Sequence, residues 1–81
     1  MSSLESLALV GYKLDAEYLQ AVASIPQLQA LDLSETNLDD QLMRQLVGLK
    51  HLATLIIEET AVTDSGLEWL ESQLPDCTII E

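Results

Sequence analysis

At 81 residues, 48% of them hydrophobic, the chain has room for one small domain with a core of its own. Fourteen acidic residues against three basic ones give a net charge of −11. That balance argues against a phosphate-binding surface, which needs clustered Lys and Arg, and disfavours an anionic membrane surface. Cys77 is the single cysteine, so no internal disulfide is expected. No apolar run approaches the ~20 residues of a membrane span, and Met1-Ser2-Ser3 has neither the basic nor the apolar region of a signal peptide. A cytoplasmic location is the default expectation.

The first predicted element is a short strand, because Leu7 and Leu9 alternate with smaller residues at period two. Leu14 follows, then Asp15, a residue type whose side chain accepts from the free N–H groups of a first helical turn. Leu19, Val22 and Ile25 then fall at helical spacing, and Pro26 suits the end of that helix. The pattern restarts at Leu28 and again, at the same interval, at Leu52. Leu4-Glu5-Ser6-Leu7-Ala8-Leu9 returns as Leu28-Gln29-Ala30-Leu31-Asp32-Leu33 and as Leu52-Ala53-Thr54-Leu55-Ile56-Ile57. The second helix is predicted from cap Asp39 through Met43, Leu46 and Leu49, the third from cap Thr63 through Leu67, Leu70 and Leu74. Gln73 makes the third unit one residue longer. In that phase Cys77 takes the place of Leu52 and Ile80 that of Leu55, so 77–81 reads as a last, truncated strand.

An L-x-x-L-x-L phrase at a fixed period of 24 resembles the leucine-rich repeat family across almost the whole chain. Thr60-Ala61-Val62-Thr63-Asp64-Ser65-Gly66-Leu67 is similar to a T-x-V-T-D-x-G-L subtype common in bacterial repeat proteins and related to the cysteine-containing subtype. Leu74-Pro75-Asp76-Cys77-Thr78-Ile79-Ile80 also resembles the end of such proteins. The resemblance implies one α/β domain over 1–81: a short right-handed leucine-rich-repeat solenoid of three strand–helix units (about 4–27, 28–51 and 52–76) plus the strand stub 77–81. A parallel sheet would line its concave side. The chain departs from the family where an asparagine or cysteine normally follows the strand: Tyr12, Thr36 and Thr60 stand there. Thr36 and Thr60 can bond turn backbone with their hydroxyls, whereas Tyr12 is too large and is expected to swing out. No capping segment precedes Leu4, which leaves a truncated parent protein open.

Two surfaces follow. Strand residues pointing away from the core are Ser6, Ala8 and Val10; Ala30, Asp32 and Ser34; Thr54, Ile56 and Glu58. Of these, Ala8, Val10, Asp32, Ser34, Ile56 and Glu58 are the candidate partner-binding residues, an apolar floor with an acidic margin near Glu35 and Glu59. Ile79 and Glu81 extend the rows. At the other surface, Leu4, Leu7, Leu9, Leu14 and Leu19 would lack a preceding unit to cover them, and Tyr12 lies beside them. Leu4, Leu7, Leu9 and Tyr12 are the candidate edge contacts for docking or self-association. Trp69 is expected half-exposed on the helix side, packing near Gln45 or Gln73 or serving as an interface anchor.

Signals for chemistry are weak. His51 has no second histidine at metal-ligand spacing. Cys77 falls in a core phase that favours an inert thiol. Asp39-Asp40 and Glu58-Glu59 are adjacent pairs whose side chains diverge, and Gly11, Gly48 and Gly66 are too scattered for a phosphate loop. No cofactor or metal is expected, nor an enzyme. The expected function is a non-catalytic protein–protein interaction module with a protein partner, a basic one being compatible with the charge. Alternatives are a structural subunit that forms a homo-oligomer through its uncapped edge, and an acidic inhibitor or immunity-type protein that blocks a basic surface. Nucleic acid and membrane are not expected partners.

Overall fold

Four short strands lie side by side in chain order, one for each return of the leucine phrase and one for the tail. β1 (Ser6–Ala8), β2 (Ala30–Asp32), β3 (Thr54–Ile56) and β4 (Thr78–Ile80) form one parallel sheet in the computed structural model, which describes residues 5–25, 27–49 and 51–81. Leu7 pairs with Leu31, Leu31 with Leu55 and Leu55 with Ile79. Helices α1 (Ala16–Ala23), α2 (Asp40–Met43) and α3 (Asp64–Gln73) connect the strands, with a 3-10 helix over Arg44–Gly48 continuing α2. Such parallel neighbours require crossover connections, which the helices supply.

One sheet face and one stripe of each helix share the core. Leu31, Leu33 and Leu55 meet Leu19, Met43, Leu46 and Leu70, all buried to within 1% exposure. Each helix starts at its predicted cap. Asp15 accepts from Tyr18 N–H (2.7 Å), Asp39 from Leu42 N–H (2.8 Å) and Thr63 from Gly66 N–H (3.2 Å).

The helix ends differ. Leu19, Val22 and Ile25, like Met43, Leu46 and Leu49, are three apart, yet α1 is α-helical to Ala23 while the second connection narrows to a 3-10 helix over Arg44–Gly48. Both connections close with a bond three residues back, Ile25 N–H to Val22 O and Leu49 N–H to Leu46 O. Leu67, Leu70 and Leu74 have α-helical spacing because of Gln73, so α3 runs on to Gln73 itself and Leu74 N–H bonds Leu70 O, four back.

The same insertion corrects the predicted tail. Ile79, not Ile80, takes the place of Leu55, and Ile80 pairs with Ile56. In the first two junctions a spare residue precedes the strand. Gln29 and Ala30 N–H share Glu5 O, and Ala53 and Thr54 N–H share Gln29 O. Before β4 that residue is missing: Cys77 N–H turns back to Leu74 O, and Thr78 N–H enters the ladder at Ala53 O. One residue gained in the helix and one lost before the strand leave the strand-to-strand interval unchanged.

After each strand the chain turns at the same phase. Gly11, Glu35 and Glu59 are left-handed, with φ of 80°, 59° and 58°. Thr36 Oγ1 donates to Leu33 O (2.6 Å) and Thr60 Oγ1 to Ile57 O (2.9 Å). In the first turn Tyr12 uses its backbone N–H on Leu9 O instead, and its side chain is 57% exposed.

Candidate functional site

The sheet face away from the helices carries the predicted rows. Ser6, Ala30, Thr54 and Thr78 form one row of small side chains; Ala8, Asp32, Ile56 and Ile80 form the next. The register correction therefore adds Ile80, 39% exposed, beside half-buried Ile56. Asp32 is half-buried and fixed, because its carboxylate accepts from Ser34 N–H at 3.0 Å.

Beyond the strands the expected third row does not hold together. Val10 is 45% exposed and Glu58 is exposed, but Ser34 is 6% exposed. The backbone ladder runs on past β2, with Gly11 N–H bonding Ser34 O and Glu35 N–H bonding Glu58 O, so Ser34 is enclosed between its neighbours in that row. Its hydroxyl accepts from Glu58 N–H (3.3 Å), so little of it is accessible on that face. Glu35, Glu58 and Glu59 remain exposed as an acidic margin.

The candidate edge is less bare than the sequence implied. Leu9, Leu14 and Leu19 are at most 4% exposed and belong to the core; Leu7 is half-buried. Leu4 lies outside the described residues, as does Pro26. Just past β1, which among the described residues pairs with β2 alone, Val10 and Tyr12 are exposed, with Tyr18 (40% exposed) on the helix behind.

Trp69 is half-buried against the core, and its neighbour is Arg44, whose guanidinium carbon lies 5.8 Å from the ring centroid. That cation–π contact ties the 3-10 helix to α3. Cys77 is half-buried, and burial pushes its thiol above the ordinary range. His51 is exposed beside a cavity of about 300 Å³ between the first two helix ends, lined also by Ile25, Leu28 and Leu49. Among the described residues no three His, Cys, Asp or Glu converge as metal ligands, and no helix is long and apolar enough to cross a membrane.

Two contacts that the repeat pattern did not disclose tie neighbouring units. Asn37 accepts from Leu14 N–H (2.6 Å) and donates to Leu14 O (2.9 Å). Asp40 accepts from Thr63 N–H (2.8 Å) and from the Thr63 hydroxyl, gripping the cap of the next helix. The Thr63 hydroxyl, then the Thr63 N–H and then the charge of Arg44 hold the Asp40 carboxyl below the usual carboxylate range. Gly66 makes room for this grip, because a Cβ there would collide with the Asp40 carboxylate. The available signal was the offset: Thr63 falls one position short of a full period after Asp40, with a glycine in the following turn.

No protein-family model matches the chain, and no curated protein matches it significantly. The residues themselves carry the functional reading.

Proposed function

We propose that the chain is a leucine-rich-repeat solenoid of three units and a terminal strand, acting as a non-catalytic protein–protein interaction module. The open sheet face is its binding surface. The observation that carries this reading is the row Ala8, Asp32, Ile56 and Ile80, an apolar pair beside a fixed carboxylate, with exposed Glu35, Glu58 and Glu59 along one side. Small neighbours such as Ser6, Ala30 and Thr54 let a partner approach the Ile pair closely. The complementary partner is a segment with one aliphatic or aromatic anchor flanked by Lys or Arg.

The test is an NMR titration with Lys/Arg-rich peptides carrying a central Leu, Ile or Phe. Shifts confined to Ala8, Asp32, Ile56, Glu58 and Ile80, and a loss of tenfold or more in affinity for Ile56→Ser with unchanged thermal unfolding, are the expected result. Shifts spread over the helices, or equal binding by Ile56→Ser, refute it.

A further inference from the structure

The row of Asp32, Ile56 and Ile80 fixes a distance as well as a chemistry. The three residues stand side by side on β2, β3 and β4, each paired in register with the next. With neighbouring strands about 4.8 Å apart, Ile56 stands about 4.8 Å from Asp32 and Ile80 about 9.6 Å. The midpoint between the two isoleucines is therefore about 7 Å from Asp32. These distances are set inside the sheet, and strands added on either side would leave them unchanged.

The apolar strip is one side chain wide. On one flank stand Ala30 and Thr54; on the other, Ser34 is 6% exposed and Glu58 is exposed. A partner helix presents an apolar stripe about 100° or more in width, which would set apolar side chains over Glu58. An extended segment instead presents a single line of side chains, every second residue, about 6.7 Å apart. Laid across the strands with one side chain over Asp32, it sets the next inward one within about 1 Å of the Ile56–Ile80 midpoint. Asp32 suits the first position. Ser34 N–H already fixes its Oδ1, and among the described residues no donor binds Oδ2. A carboxylate already held loses little freedom on binding.

We propose that the segment bound by this face is extended, crosses the strands, and carries its Lys or Arg two residues from its Leu, Ile or Phe anchor. The proposal rests on the open face being the binding surface. The cation can precede or follow the anchor, since the spacing is the same both ways.

The experiment titrates the whole chain, followed by NMR in low salt, with three capped Gly/Ser peptides. Each has one Arg and one Leu, separated by one, two or three residues. The single-residue separation binds roughly fivefold tighter than the others, the upper range for an exposed ion pair, with shifts at Asp32, Ile56 and Ile80. Asp32→Asn, whose amide oxygen can still accept from Ser34 N–H, binds all three alike. Glu58→Gln keeps the preference, and urea melts confirm that both variants are folded. Equal affinities with shifts on the face, or tightest binding at the two- or three-residue separations that suit a helix, overturn the spacing rule and leave the face as the binding surface. A preference kept by Asp32→Asn and lost by Glu58→Gln overturns the crossing direction. The Lys/Arg-rich peptides with a central anchor are run alongside: shifts on the face with those alone overturn the spacing rule, and shifts with neither set overturn the face reading as well.

Discussion

Gly66→Ala should change sign with its background. Gly66 is the third residue of α3, where alanine favours the helix by about 0.5–1 kcal/mol. In the wild-type chain that gain is opposed, because the new Cβ would collide with the Asp40 carboxylate and expel it from Thr63. For 81 residues the unfolding entropy is on the order of 170 cal/mol/K, so 0.5–1 kcal/mol corresponds to roughly 3–6 °C in Tm. The expected outcome is a lower Tm for Gly66→Ala alone, and a Tm raised by about 3–6 °C when Gly66→Ala is added to Asp40→Ala. Calorimetry on the four proteins of this cycle isolates the coupling. A Gly66→Ala chain more stable than wild type would mean that Asp40 does not approach α3 closely. Equal losses in both backgrounds would place the cost elsewhere than at Asp40.

Other expectations follow from the same packing. Leu31→Ala or Leu55→Ala, each at most 1% exposed in the central strands, should cost roughly 2–5 kcal/mol, read as a large drop in urea midpoint; an unchanged midpoint would mean the strand phase is wrong. Asp40, with its carboxyl held low, contributes stability that is present above the ordinary carboxylate pKa and fades as pH falls toward its own. The stability difference between wild type and Asp40→Asn should therefore shrink between pH 7 and strongly acid solution; a constant difference in urea melts refutes the assignment. Cys77, with its thiol pushed up by burial, should alkylate with iodoacetamide more slowly at neutral pH than a free cysteine.

The period made the strands, the core row and all three caps legible, because each repeats a local requirement of its element. Thr36 and Thr60 were legible as turn bonds for the same reason. What escaped was set by departures from the period or by partners in the next unit. The 3-10 stretch over Arg44–Gly48 escaped because Met43, Leu46 and Leu49 have the same spacing as Leu19, Val22 and Ile25, which sit on an α-helix and its end. The phase of Ile79 and Ile80 depended on a compensating loss before Thr78 that only the backbone bonds reveal. Ser34 is nearly buried because its hydroxyl and the continued ladder bind it to its neighbours, which alternation alone does not reveal. Asn37 and Asp40 act on Leu14 and Thr63, each in a neighbouring unit, where composition gives no hint of contact.

The order of the sheet carries a consequence for how the chain finds its shape. Among the described residues every strand pairs only with the strand next to it in the sequence. Folding can therefore begin at one pair and spread outward by repeating a single step. The segment from β2 to α2, bonded to Leu14 through Asn37 and to Thr63 through Asp40, touches the segments on both sides of it. Lesions there should slow folding as well as weaken the product, while lesions in the first or last unit should let a partial structure persist.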